Sequence, residues 1–188
     1  MAYFPFFIDI KDANGLIIGG GKHTFGKIEK LLPYESKLHI ITTEVSDAVK
    51  EVAEKNEIPM EIREFQESDL EPRPDFVIIA CDDMEERKRI ATLCRERYIL
   101  VNSVDDVENC DFIFPSLIQR GKLSIGVMTG GASPVIGMDI KKQIMELIPD
   151  NIEEILEHME KIRPEMKEKY PDEKERANVF RMIYESMI

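Results

Sequence analysis

No apolar run in the 188 residues approaches the roughly 20 needed to cross a bilayer, so a membrane-spanning helix is not expected. The opening Met-Ala-Tyr-Phe-Pro-Phe-Phe has neither the basic stretch nor the small-residue cleavage site of a secretory leader. Both absences lead to the expectation of a soluble, cytoplasmic protein. Cysteine is scarce: Cys81, Cys94 and Cys110 are too few and too scattered for a disulfide framework or a metal knuckle. Two of them follow or sit within apolar runs, so buried, reduced thiols are expected. The three histidines, His23, His39 and His158, lack ligand spacing, which argues against a preformed structural zinc site. His39, inside an apolar strand, reads as a satisfied core or edge residue. Basic side chains are outnumbered by acidic ones, 25 to 37, for a net charge of −12. That balance argues against a nucleic-acid or anionic-membrane binder. The deficit is uneven, since residues 111–188 hold 11 basic and 14 acidic side chains. An anionic ligand therefore meets less repulsion in the C-terminal part.

The length suits one domain, or one domain with a small appendage, and is enough to bury a sizeable core. Strand-length apolar runs alternate with helix-length segments up to about residue 115. Leu16–Ile18 reads as a strand ending at Gly19-Gly20-Gly21. His23 to Leu32 reads as a helix closed by Pro33, with Phe25, Ile28, Leu31 and Leu32 on one face. Leu38–Ile41 is a second strand, Asp47–Glu54 a short helix and Ile62–Phe65 a third strand. Phe76–Ala80 is an uncharged, central fourth strand; the helix Asp83–Glu96 and the strand Tyr98–Asn102 follow. This alternation predicts an α/β fold with a parallel sheet built from right-handed βαβ units.

Beyond Pro115 the pattern changes. Leu123–Met128 alternates like a strand, and Pro134–Leu147 reads as a helix with proline in its first turn. Ile152, Ile155, Leu156, Met159 and Ile162 form an apolar stripe on a helix that Pro164 is expected to end. Pro171 precedes a last helix bearing Val179, Phe180, Ile183 and Tyr184. This apolar tail has two readings, packing on its own domain or a dimer interface.

Gly19-Gly20-Gly21 stands between strand and helix, where glycines let a backbone approach a dinucleotide pyrophosphate and the helix start favours negative charge. Lys22 and His23 open that helix; Thr24 stands where a G-x-G-x-x-G pattern would have its third glycine. Thr42-Thr43-Glu44 ends the second strand, where an acceptor for ribose hydroxyls is expected; Glu44 would repel a 2′-phosphate and so favour NAD over NADP. A solvated loop carboxylate is the alternative reading of Glu44. Cys81 and Asp82, after the fourth strand, could line the same crevice, while Asp82 or Asp83 could also cap the next helix. Asp105, just past the fifth strand, is positioned for a general base or metal contact, or for an ordinary turn.

The order of these segments is informative. Gly19–Gly21, Ala80-Cys81-Asp82-Asp83, Val101-Asn102-Ser103-Val104-Asp105, Cys110-Asp111-Phe112-Ile113-Phe114-Pro115 and Thr129-Gly130-Gly131-Ala132-Ser133-Pro134-Val135 follow one another. The chain thereby resembles the precorrin-2 dehydrogenase family, the siroheme synthase N-terminal module, from Tyr3 to about Pro149. The resemblance implies a Rossmann-like NAD-binding domain at residues 1–112, a small α+β dimerisation region at 113–149 and a helical C-terminal region at 150–188, assembled as a homodimer. It implies oxidation of precorrin-2 to sirohydrochlorin with NAD⁺ taking the hydride, and in some members insertion of iron into sirohydrochlorin. The family's aspartate falls on Asp105, and the serine of its G-G-A-S-P block, near the tetrapyrrole, falls on Ser133 beside Gly130 and Gly131. Arg120, Lys122, Lys141 and Lys142 are candidate cations for a polycarboxylate substrate, or ordinary surface charges.

Departures from the family pattern cluster around these sites. The usual x-V-A-x-R-K after the glycines reads Lys22-His23-Thr24-Phe25-Gly26-Lys27, an asparagine after Asp82-Asp83 is replaced by Arg87, and the L-A-R-L-L-R run reads Ile136-Gly137-Met138-Asp139-Ile140-Lys141. They leave open a chelatase without dehydrogenation, and a silent paralogue that binds a tetrapyrrole or nucleotide.

Overall fold

The computed structural model describes residues 3–188; Met1 and Ala2, which begin both the expected NAD-binding domain and the stretch read for a leader, lie outside the described residues. The chain divides into two compact units, residues 3–113 and residues 114–188.

In the first unit, five strands form a parallel sheet: β1 Asn14–Ile18, β2 Lys37–Thr42, β3 Met60–Ile62, β4 Phe76–Ile79 and β5 Leu100–Ser103. Their order is β3-β2-β1-β4-β5, so the chain reverses its direction of travel across the sheet at β1. Every connection crosses over a face, through α1 Lys22–Leu31, α2 Asp47–Lys55 or α3 Met84–Glu96, or a 3₁₀ turn between β3 and β4. With helices covering it, the sheet is apolar on both sides. Ile17, Ile40, Val77, Ile78 and Val101 are fully buried, and Ile28, Val49, Ile90 and Ala91 seal them from the helices. Ile18 pairs with both Ile41 and Ile79, and Ile79 with Ser103, so the carboxyl ends of four strands lie in one row. The outermost strand, β3, is three residues long and ends against Arg63. On the other side, Val101 of β5 donates its N–H to the Asp111 carboxylate and accepts from the N–H groups of Asp111 and Phe112.

In the second unit, β6 Ser116–Arg120 and β7 Leu123–Val127 pair antiparallel around a two-residue turn. Three helices follow: α4 Pro134–Leu147, α5 Ile152–Lys169 and α6 Glu173–Met187. Among the described residues no helix is long and apolar enough to cross a membrane.

Several expectations are corrected. β6 is not foreseen by the sequence reading at all, because Ser116–Arg120 has no alternating apolar pattern; it is a strand by its pairing with β7. β3 lies two to three residues earlier than expected, and β5 starts at Leu100 because Tyr98 turns left-handed (φ 55°) to leave α3. Pro33 sits in a 3₁₀ turn, Leu32–Tyr34, which extends α1. Pro164 does not end α5, which runs on to Lys169. Proline forfeits one backbone hydrogen bond to residue 160, and on this exposed face water can take over that carbonyl. Only Cys94 is fully buried; Cys81 and Cys110 are half-buried, all three being free thiols. The apolar stripe of α5 serves its own unit, with Ile152 and Ile155 buried.

Candidate nucleotide and substrate sites

The glycine turn divides its work. Gly19 has φ 122°, and a Cβ there would lie 2.5 Å from the Ala80 carbonyl oxygen. A Cβ on Gly20 would lie 2.3 Å from the carbonyl oxygen of Glu44. Both are therefore required by close packing of neighbouring strand ends. Gly21 is different: nothing lies within 4 Å of its Cβ position. It is the N-cap of α1, no side chain caps the helix there, and no acidic residue occupies the first turn. An uncapped helix start with open space before it leaves N–H donors and a positive dipole end for an anion. Lys22 and His23 follow, both exposed. Thr24 is fully buried, and its hydroxyl donates to the Gly19 carbonyl at 2.8 Å, tying helix to strand. A hydroxyl that satisfies itself on the turn explains how threonine replaces the usual small residue.

The end of β2 folds over this turn. Thr42 is buried, its hydroxyl donates to the Glu44 carbonyl at 2.6 Å, and the Ser46 N–H reaches the Gly20 carbonyl at 2.9 Å. Thr42 thus shapes the loop, while Thr43 and Glu44 are exposed. Arg63, whose N–H donates to the Thr42 carbonyl, is the adjacent cation, and its guanidinium is occupied. It grips both Asp69 carboxylate oxygens at 2.7 Å and Glu61 at 2.8 Å. These bonds hold the Asp69 and Glu61 carboxyls below the usual carboxylate range. Glu61 also meets His39 Nε2 at 3.0 Å, so His39 is a partnered residue beside the sheet edge.

At the end of β4, Asp83 is the cap of α3, accepting from the N–H groups of Glu85 and Glu86. That leaves Asp82 exposed and uncommitted, while burial raises the Cys81 thiol. Arg87, noticed in the sequence only as a departure, bridges two strand ends: one nitrogen donates to the Val104 carbonyl at 2.7 Å and another to the Asp82 carbonyl at 3.0 Å. Beyond Val104, Asp105 adopts a left-handed backbone (φ 57°) and places its carboxylate 3.7 Å from His23 Nε2. Lys27, one helical turn past His23, is within electrostatic reach of Asp105 and Cys110, and its burial lowers the ammonium to about 8. Gly19–Gly21, His23, Glu44, Asp82 and Asp105 are thus all carried by segments at the carboxyl edge of one sheet, where ligands bind in open α/β folds.

The other candidates lie in the second unit. Ser133 is the N-cap of α4, its hydroxyl accepting from the Ile136 N–H at 3.3 Å, and Thr129 donates to its carbonyl. Gly130 and Gly131, with φ 63° and 81°, form an exposed turn with no atom within 4 Å of either Cβ position. Arg120 lies 3.9 Å from Asp150, and Lys122 is gripped by Glu160, so both cations are matched by acids of their own unit. Lys141 and Lys142 enter no ion pair among the described residues. No group of three or more His, Cys, Asp and Glu side chains that could hold a metal ion occurs among the described residues.

Residues 6–116 match the family described as NAD(P)-binding. Siroheme synthase of Buchnera aphidicola subsp. Acyrthosiphon pisum is 31% identical over 187 residues, 100% of this chain and 39% of that protein. Siroheme synthase of Pseudoalteromonas atlantica is 29% identical over 170 residues, 90% of this chain and 37% of that one. The chain therefore spans about two-fifths of the length of these curated relatives. Among solved structures, SirC, precorrin-2 dehydrogenase, superposes with a TM-score of 0.74 at 19% identity, covering 96% of this chain and 89% of that one. That likeness is one of fold.

Proposed function

The chain belongs to the NAD(P)-binding family, and on that footing we propose that it oxidises precorrin-2 to sirohydrochlorin with NAD⁺ as hydride acceptor. The observation that carries this reading is the pairing of an open, uncapped glycine turn with a carboxylate, Asp105, at the same sheet edge. The names of the relatives, siroheme synthase and precorrin-2 dehydrogenase, support it.

The glycine turn and its neighbouring strand ends suit a dinucleotide. The N–H groups of Gly21, Lys22 and His23 would hold the pyrophosphate against the α1 dipole, with Gly19 and Gly20 keeping the turn tight. Thr43 and Glu44 would meet the adenosine ribose. Glu44 disfavours a 2′-phosphate, and Arg63, the adjacent cation, is consumed by Glu61 and Asp69, so the selection is for NAD. Backbone at Cys81 and Asp82 would line the far wall. Once bound, the nicotinamide supplies the hydride-accepting carbon. Asp105 is the base for the proton that the tetrapyrrole loses as its conjugation extends.

In the second unit, the N–H groups at the Gly130–Gly131 turn and the start of α4, with the Ser133 hydroxyl, suit the carboxylates of a tetrapyrrole. Lys141 and Lys142 are better placed to contribute than Arg120 and Lys122, whose charge is already matched. The reading includes a cytoplasmic homodimer joined through exposed apolar residues of α4.

The test is an anaerobic absorbance assay on freshly generated precorrin-2. A sirohydrochlorin spectrum that appears only with NAD⁺, together with NADH, is expected. Asp105→Ala is expected to lower turnover by about 10²-fold or more while leaving the far-UV circular dichroism unchanged. Full activity in the folded variant removes Asp105 from the mechanism. A folded wild type that is silent with NAD⁺ overturns the dehydrogenase and makes iron plus sirohydrochlorin the next assay.

A further inference from the structure

His23 and Asp105 come from opposite sides of the crossover in chain order, yet their side chains meet, Nε2 to Oδ2 at 3.7 Å. Both are exposed, 60% and 77%, and neither has a hydrogen-bond partner elsewhere among the described residues. What fixes the meeting is backbone. The Val104 N–H is bonded to the Ile79 carbonyl at 2.9 Å, and its carbonyl is held by Arg87 at 2.7 Å. The left-handed turn at Asp105 then directs its carboxylate back across the strand ends. On the other side, His23 is the second residue of a helix anchored to β1 by the buried Thr24–Gly19 bond. Two rigid elements thus present an imidazole to a carboxylate at the mouth of the crevice.

We propose that His23 is a positioning residue that acts through Asp105, orienting its carboxylate and passing its proton to solvent. This deepens, and rests on, the dehydrogenase reading. Oxidation removes two electrons and two hydrogens from the tetrapyrrole: one leaves as hydride to NAD⁺, and the other leaves as a proton. Asp105 takes that proton. A carboxylic acid must be emptied before the next turnover, and imidazole is the side chain suited to take up and return protons near neutral pH. Nε2 accepts the proton from the Asp105 carboxyl and, on an exposed ring, passes it on to water, which leaves the Nδ1–H imidazole and the carboxylate as they began. A separation of 3.7 Å closes to hydrogen-bond length with a small side-chain rotation, as is common for catalytic pairs before substrate binds.

The competing role for a residue at this helix start is a simple contact to the dinucleotide pyrophosphate. His23→Gln separates the two, because glutamine keeps a hydrogen-bond donor but cannot carry a proton. The relay predicts that kcat falls about tenfold or more, while KM for NAD⁺ and the NAD⁺ affinity measured by calorimetry stay within about twofold. Added imidazole is expected to restore turnover in His23→Ala. In an Asp105→Asn background His23→Gln should cost nothing further, since the two act in series. A loss confined to NAD⁺ affinity, unchanged kcat, or additive losses in the double variant would each overturn the relay while the wild type still turns over. A silent wild type instead overturns the dehydrogenase reading and the relay with it. His23 is exposed, so folding of the variants is checked simply by their thermal unfolding.

Discussion

The three glycines of the first βα turn look equivalent in sequence and are not equivalent in space. Gly19 and Gly20 are held by steric necessity against Ala80 and Glu44, whereas Gly21 faces open space at an uncapped helix start. Its backbone (φ −88°, ψ −169°) is the extended conformation that an N-cap aspartate adopts. Gly21→Asp should therefore leave stability unchanged or raise it by a few tenths of a kcal/mol, while putting a carboxylate where the pyrophosphate is expected. Calorimetric titration with NAD⁺ should show binding abolished in a protein that melts no lower than wild type. Retained binding would move the pyrophosphate elsewhere. At this scale the sequence was legible where function depends on neighbours along the chain, as in the turn itself. It was silent on Arg87, whose partner Val104 lies 17 residues away. The exchange of an asparagine for arginine was the signal available, and only the fold shows what the arginine holds. The pairing of His23 with Asp105 was equally invisible, because it is made by the sheet's strand order.

Among the elements, the parallel sheet was readable because each central strand is a continuous apolar run, buried on both faces. Legibility failed where local pattern and tertiary context part company. β6, Ser-Leu-Ile-Gln-Arg, shows no clean alternation and becomes a strand through its pairing with β7. Pro164 carries the strongest local signal for stopping a helix, yet the exposed surface of α5 tolerates a missing hydrogen bond. Gly26 is a milder instance in α1. It sits in the helix interior, and no atom lies within 4 Å of its Cβ position. Nothing in the packing requires glycine there, so Gly26→Ala should stabilise the sheet unit by about 0.5–1 kcal/mol. Differential scanning calorimetry should show an unfolding midpoint raised by roughly 2–4 °C. A lowered midpoint would mean that helix α1 needs flexibility at this point.

For the molecule as a whole, the sequence left the C-terminal apolar stripe to its own domain or to a dimer interface, and part of it is buried inside its own unit. An exposed apolar stripe lies instead on α4. At 100° per residue, Ile136, Ile140 and Leu147 fall on one flank of the helix, 55%, 39% and 83% exposed. Such a stripe in a chain of net charge −12 is better explained by a covered face than by a wet one. Sedimentation equilibrium should return twice the chain mass for wild type, and Ile140→Glu should shift it toward the monomer. A wild-type monomer at tens of micromolar protein, or a variant that remains dimeric, would assign the face another role.

The way the sheet ends bears on how copies of the chain can meet. A parallel sheet with bare margins can recruit further strands and grow into fibres. Here one margin is a three-residue strand flanked by the charged Glu61–Arg63 pair, and the other is occupied by the chain's own Asp111 and Phe112. Growth of this sheet through main-chain pairing is thus discouraged at one margin by shortness and charge and blocked at the other by the chain itself. Crowding this protein in a cell, or concentrating it for crystals, should lead to discrete assemblies fitted by side chains rather than to open-ended aggregates.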